Sequence, residues 1–198
     1  MKTPGKVQFP FKKSLRWIAI GLAIAAATLL SIIGVGYAYL RYEYPYGWSH
    51  CCDLGLYFSL RQYAEAHGGN FPAGQATPEA SLSLLYGAIP NVNADLLRGK
   101  SAPEAMAKEI LERGGRLTPE TCGWHYVEGL RLNDDPRLAL FWDKAGLGHN
   151  GQRLSGGAHI VMLVDGRRKC VPGSEWASFV AEQRKLVAKI ANTRRNSD

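Results

Sequence analysis

The N-terminal part of this 198-residue sequence contains no acidic residue before Glu43 and no charged residue of either sign from Trp17 to Leu40. In a helix, which rises about 1.5 Å per residue, a run of this length spans a hydrocarbon core of roughly 30 Å. The absence of charge therefore predicts a transmembrane helix at 17–40. Five basic residues precede it: Lys2, Lys6, Lys12, Lys13 and Arg16.

Two other interpretations fit this run less well. A cleavable signal peptide has an apolar region of about 7–15 residues, shorter than this one, although "GYA" before Tyr39 resembles a weak cleavage site. A buried core helix would not carry basic residues on one side only. We predict an uncleaved single-pass anchor with 1–16 in the cytoplasm, because basic flanks stay on that side. In a bacterium the remaining chain would be periplasmic and the anchor would lie in the inner membrane.

Basic residues outside the N-terminal segment barely outnumber acidic ones. The net charge is +7, but removing the five basic residues before the span leaves 19 Lys and Arg against 17 Asp and Glu. The excess is thus explained by membrane topology rather than by a polyanionic partner. We expect the lipid bilayer as a partner and no nucleic acid.

Cysteine is scarce, with four residues and no CxxC spacing, which argues against a thioredoxin-type or zinc-ribbon site. All four lie on the predicted outer side, where disulfides persist. A bridge between neighbouring cysteines needs unusual geometry. We therefore predict that Cys51 and Cys52 reach separately to Cys122 and Cys170, and the sequence leaves open which pairs with which.

Hydrophobic periodicity predicts helices at 50–67, 79–88, 102–113 and 174–191, with strands between Thr118 and Val171. Ser101 and Ser174 are the predicted N-caps of the last two helices. Leu56, Leu60 and Ala64 form the buried stripe of the first, with Cys52 one turn earlier. Asp165-Gly166 predicts a type I′ hairpin turn, because both central residues of that turn need positive φ.

This order of elements is typical of an α+β fold. It predicts an extracytoplasmic domain at 41–192, separated from the anchor by Pro45 and Gly47, and a frayed tail at 193–198.

No pattern in the sequence predicts a catalytic residue, a metal site or a cofactor. Cys51 or Cys52 with His125 or His149 would resemble a thiol hydrolase, but no nucleophile signature surrounds them. His159 and Asp165 lie at opposite ends of one strand, roughly 20 Å apart when extended, so they cannot share an ion directly. The segment 155–157 is glycine-rich but precedes a strand, whereas a phosphate cradle needs a helix N-terminus.

Two segments, taken together, resemble type II secretion pseudopilin-like proteins. The first runs from the double cysteine to "NFP", and its matching residues are Cys52, Leu60, Arg61, Gln62, Tyr63, Ala64, Gly68, Gly69, Phe71 and Pro72. The second is similar to a C-terminal His…Asp-Gly motif of related bacterial proteins, matching at Asp143, Lys144, His149, Gly156, Gly157, Val161, Leu163, Asp165 and Gly166. Cys122 would correspond to the cysteine before the central strands, with Gly123 in place of a proline.

The resemblance implies a pilin-like domain, in which a helix lies across a small antiparallel sheet, and a structural or assembly role. Processed pilins carry a glutamate early in the mature helix, whereas no Glu precedes Glu43 here. We therefore expect a permanently anchored, non-catalytic structural or interaction protein rather than a filament subunit. Envelope or secretion-system proteins are the expected partners. The alternative is a thiol-dependent envelope enzyme using Cys51 or Cys52.

Overall fold

The computed structural model describes residues 11–48 and 53–195, with side chains from residue 15 onward. The chain divides into two compact units, Met1–Tyr42 and Glu43–Asp198. The first contains one long helix, α1 (Phe11–Glu43), which extends beyond the predicted 17–40 at both ends. Its helical hydrogen bonds continue past Leu40 because nothing breaks them before the turn around Pro45.

The segment Leu15–Glu43 of α1 is long and apolar enough to cross a membrane. Its large apolar side chains are exposed. This length and composition fit a membrane anchor and equally fit a signal sequence.

The second unit is an α+β domain. Its helices are α2 (Asp53–Ala66), α3 (Pro78–Leu82), α4 (Ala94–Arg98), α5 (Glu104–Glu112) and α6 (Gly173–Arg195). Its strands are β1 (Trp124–Tyr126), β2 (Ala139–Asp143), β3 (His159–Leu163) and β4 (Arg168–Val171). Single 3₁₀ turns occupy Ser83–Leu85 and Ser155–Gly157. The predicted α+β class, with a long apolar N-terminal helix, a small antiparallel sheet and a C-terminal helix, is confirmed, and the pilin-like architecture stays a prediction.

The four strands form an antiparallel sheet in the order β1-β2-β3-β4. Two hydrophobic clusters form on it: the larger includes Leu56, Leu60 and Ala64 of α2, and the smaller includes Phe179 of α6. The α2 stripe predicted from periodicity is therefore confirmed, with all three side chains fully buried. Gly69 follows the end of α2 and donates its N–H to the Ala64 carbonyl at positive φ.

A β-bulge between β2 and β3 makes the central strand depart from simple alternation. Leu140 and Phe141 both join the larger cluster, while Ala139 and Trp142 join the smaller one. Every residue of β2 is consequently buried. The last residue of the strand, Asp143, pairs in register with Trp124 of β1.

The two predicted N-caps are wrong. The N-cap of α5 is Pro103 rather than Ser101, and Ser174 lies inside α6. The helix α6 continues to Arg195, beyond the predicted end at 191, because Arg194 donates to the Asp134 carboxylate and to the Gly129 carbonyl. The predicted fraying of 193–198 stays a prediction.

The β3–β4 turn is present but is not type I′. Gly166 has φ +84°, whereas Asp165 does not have positive φ. The Gly166 N–H donates to the Leu163 carbonyl, which closes the turn one residue earlier than expected.

Candidate functional site

The His…Asp-Gly motif residues lie in separate local arrangements. His149 is exposed in the loop after β2, and Asp165 forms an exposed ion pair with Arg167 at 2.5 Å. Gly156 and Gly157 form a turn that packs closely on Gly173, so that a Cβ on Gly173 would collide with the backbone of this turn. These glycines thus allow the start of α6 to pack against the turn, which explains the glycine-rich segment without a ligand.

The loop that carries His149 is held by its own backbone. The Gly148 N–H donates to the Gln152 carbonyl at 2.7 Å, and the Gln152 side chain accepts from the Asn150 N–H at 2.9 Å. Within the second unit, the Arg153 N–H also donates to the Glu43 carbonyl at 2.8 Å. The motif loop is therefore ordered by contacts that require no second molecule.

The most unusual polar feature of the domain is a buried charge cluster around Lys100. Its Nζ lies 2.7 Å from Oδ1 of Asp53 and 2.5 Å from Oδ2 of Asp143. The side chain of Lys100 is only 1% exposed, and those of both aspartates 6%. Asp53 begins α2, Lys100 lies between α4 and α5, and Asp143 ends β2, so the cluster connects three separate parts of the fold.

Burial and mutual attraction oppose each other in this cluster. Desolvation raises the pKa of Asp143 to about 6, although the Lys100 ammonium pulls it down. Desolvation acts to lower the pKa of Lys100, but Asp143 and Asp53 outweigh it and the net direction is upward. Two carboxylates against one ammonium leave an excess negative charge in a dry site, so one carboxyl that binds its proton more tightly is the expected result.

Two further features mark the site. The Lys100 ammonium lies 4.8 Å from the ring centroid of Trp124, in cation–π contact. Asp143 Oδ1 is buried and, among the described residues, accepts no hydrogen bond. A pocket of about 320 Å³ reaches Lys100 from the surface and is otherwise lined by Tyr46, Arg98, Ser101, Ala102, Pro103 and Glu104.

The next residue along the chain after β2, Lys144, binds a second carboxylate. Its Nζ donates to Glu79 at 2.7 Å and to the carbonyls of Pro119 and Cys122 at 2.8 and 3.0 Å. The Asp-Lys pair of the motif thus forms two adjacent ion pairs, one to Lys100 between α4 and α5 and one to Glu79 of α3. Both residues stabilise the packing of the helices against the end of the sheet.

The two described cysteines, Cys122 and Cys170, do not form a disulfide with each other. Cys122 is buried and donates to the Leu97 carbonyl at 3.3 Å, and Cys170 is exposed. Burial raises the pKa of Cys122 to about 12, so its nucleophilic thiolate is suppressed. The predicted partners, Cys51 and Cys52, lie outside the described residues, and the disulfide pairing stays a prediction.

Aromatic rings and two histidines form a stack on the α6 face of the sheet. His125 stacks on Trp142 at 4.2 Å, His159 stacks on Trp176 at 3.9 Å, and the two tryptophans meet edge to face at 5.7 Å. Desolvation lowers the pKa of both histidines. Packing of neutral imidazoles on indole rings accounts for the position of both histidines. Within the described residues no group of three metal-ligating side chains is present.

No protein-family model, curated protein or solved structure matches this chain. Its function is therefore inferred from its own residues. Sequence reasoning missed the Lys100 cluster, because Asp53 and Asp143 lie 47 and 43 residues from Lys100 along the chain. A lysine preceded by glycine at the end of a helical pattern looks like an ordinary surface residue.

Proposed function

We propose that this chain is a membrane-anchored extracytoplasmic protein with a structural or interaction role, resembling the pseudopilins, and without catalytic activity. The observation that carries the proposal is the presence in one chain of a fully exposed apolar helix of membrane-spanning length and an α+β domain. The basic segment before the helix favours a cytoplasmic N-terminus. The domain would then be periplasmic, where envelope or secretion-system proteins are its expected partners.

The polar residues of the domain support a structural role. Lys100, Lys144 and Arg194 each bind carboxylates that hold one element against another. The raised pKa of Cys122 is the opposite of what a catalytic thiol needs. Residues of the pseudopilin-like motifs, such as Leu60, Asp143 and Gly166, contribute packing or turn geometry.

Aromatic residues after the apolar helix support the bilayer as a partner. Tyr44 and Trp48 stack at 5.4 Å, and Tyr46 and Trp48 are 55% and 63% exposed. Exposed tyrosine and tryptophan next to an apolar helix are typical of the membrane interface.

Topology is tested by membrane fractionation followed by protease treatment of spheroplasts and of lysed cells. A domain that fractionates with membranes and is digested in intact spheroplasts supports the proposal. A domain protected in spheroplasts and digested only after lysis contradicts the orientation. Release of the domain into the soluble periplasmic fraction would identify the helix as a cleaved signal sequence, and N-terminal sequencing would reveal pilin-type processing.

The alternative thiol-dependent enzyme is tested by thiol titration of the native protein. Such an enzyme needs a reactive thiolate at Cys51 or Cys52, with a depressed pKa. The matched variants Cys51→Ser and Cys52→Ser are compared with Cys170→Ser, which removes an exposed thiol in β4. A rapidly reacting thiol at neutral pH that disappears only in one of the first two variants contradicts a purely structural role.

A further inference from the structure

We propose that Lys100 and Asp143 condense to an intramolecular isopeptide bond, with release of one water and with Asp53 as the proton acceptor. This covalent modification lies inside the domain and is independent of any partner that the domain binds. An ion pair needs only one carboxylate for the Lys100 ammonium, whereas this site holds two. The proposed reaction gives each of the two carboxylates a role.

The reacting atoms are already close. Lys100 Nζ is 2.5 Å from Asp143 Oδ2. Since a carboxyl carbon lies about 1.2 Å from its oxygen, Nζ and Cγ are separated by at most about 3.7 Å, close to the separation of about 3–3.5 Å at which attack begins. Three buried anchor points hold them there, because Lys100, Asp53 and Asp143 are all nearly inaccessible to solvent.

The proton transfers balance when the Asp143 carboxyl carries its proton. Asp53 Oδ1, 2.7 Å from Nζ, accepts one proton from the Lys100 ammonium. The freed nitrogen lone pair forms a bond to Asp143 Cγ, the bond from Cγ to Oδ1 breaks, and the Oδ1 hydroxyl leaves as water with the second proton of the nitrogen. The ammonium, the Asp143 carboxylic acid and the Asp53 carboxylate thus become an amide, water and a protonated Asp53, with no change of oxidation state and no other reactant.

The two oxygens of Asp143 have different surroundings, and this difference selects the leaving group. Oδ2 binds Lys100, whereas Oδ1 is buried and accepts no hydrogen bond from the described residues. Loss of Oδ1 therefore removes a buried polar atom that costs free energy to keep. The raised pKa of Asp143 means that its carboxyl holds a proton more readily, and a protonated carboxyl is the better electrophile.

The medium favours the same product. Trp124 covers the ammonium, and the surrounding domain excludes water from a cluster with three formal charges. Condensation converts the ammonium into a neutral amide and leaves its proton on Asp53, so no unpaired charge stays buried. In a site of low dielectric, this exchange lowers the desolvation cost of the cluster. The pocket lined by Ser101 and Tyr46 reaches Lys100 and gives the released water an exit.

The bond is tested on the purified full-length protein by mass spectrometry after denaturation and reduction. The expected mass is lower than the sequence mass by one water. Trypsin should not cleave after Lys100, and the digest should contain a branched peptide joining the segments around Lys100 and Asp143. A protein with the full sequence mass, cleaved after Lys100, overturns the proposal.

Variants identify the reacting groups. Lys100→Met and Asp143→Ala should each restore the missing water, and Asp53→Asn should slow or abolish the reaction while it keeps the shape of the cluster. Alanine is used at 143 because asparagine there could still react, with release of ammonia. Circular dichroism verifies that each variant is folded, and the wild-type mass decides the proposal even if a variant is not.

Two control variants distinguish this bond from dehydration elsewhere in the chain. Lys144→Met removes a neighbouring lysine that pairs with Glu79 and should leave the water loss unchanged. Asp165 precedes Gly166 in an exposed turn, where aspartate can dehydrate to a succinimide, so Asp165→Glu should also retain the loss. Water loss that disappears with Asp165→Glu, or that maps to that turn, contradicts the isopeptide assignment.

Discussion

The aromatic ring of Tyr57 lies directly against Gly166, so that a Cβ at Gly166 would come within 2.6 Å of the Tyr57 ring. The Tyr57 hydroxyl donates to the Val164 carbonyl of the same turn at 3.2 Å. The helix α2 is thereby joined to the β3–β4 hairpin. The glycine of the Asp-Gly motif is required both for its positive φ and for this close approach.

Gly166→Ala should destabilise the domain by more than the cost of positive φ alone. Backbone strain of this kind costs about 1–3 kcal/mol, and displacement of the Tyr57 ring adds to it. Gly129→Ala is the matched control, because Gly129 has φ +81° and open space around the position of a Cβ. Urea denaturation should give a larger loss of unfolding free energy for Gly166→Ala. Equal losses would show that the ring is not a constraint.

Leu60→Ala should reduce the free energy of unfolding by about 2–5 kcal/mol, because Leu60 is fully buried in the larger cluster. Phe58→Ala, two residues earlier on α2, is the control because Phe58 is 60% exposed. Its effect should be small. Comparable losses in the two variants would contradict the assignment of the buried face of α2.

The two described cysteines should differ sharply in reactivity. After reduction, iodoacetamide at a pH of about 8 should modify exposed Cys170 rapidly, and buried Cys122, with its pKa raised to about 12, should react only when the protein is unfolded. Peptide mapping before and after addition of urea measures both rates. Rapid alkylation of Cys122 in the native protein would contradict its burial and would favour a reactive-thiol function.

His159 should make a destabilising contribution to the domain in mildly acidic solution. Burial lowers the folded-state pKa of His159 below its unfolded value of about 6.5. The neutral ring therefore contributes stability that is present above that value and is lost as the pH falls through the folded-state pKa. His159→Phe keeps a ring on Trp176 and should flatten this part of the pH profile. An unchanged slope in His159→Phe would contradict the assignment.

The features that the sequence predicts best are those that depend on local periodicity. The apolar run predicts α1, and the spacing of Leu56, Leu60 and Ala64 predicts the buried face of α2. Each of these patterns depends only on residues within a single helix. The turn at Asp165-Gly166 shows the limit of this approach. A dipeptide preference indicates that a turn forms, but the contact with Tyr57, more than one hundred residues away, determines where the glycine must lie.

The polar sites were the least predictable. Asp143 and Lys144 are adjacent in sequence, and yet each pairs with a residue from a different part of the fold. Their partners depend on how the helices and loops pack on the sheet, which no local pattern encodes. The extension of α6 through Arg194 has the same cause, since its stabilising partner, Asp134, lies in the loop before β2.

Gln183 has a consequence for how α6 is aligned with the sheet. Its side-chain amide accepts from the Ala139 N–H at 2.8 Å and donates to the Arg137 carbonyl at 3.2 Å, so one glutamine imitates the backbone of a neighbouring strand. Farther along the helix Arg194 reaches Asp134, and nearer its start Trp176 meets His159. These three contacts fix both the rotation of α6 about its axis and its position along that axis. A single residue inserted between Trp176 and Arg194 would rotate one end of the helix by about 100° relative to the other, so that the contacts at both ends could not form together.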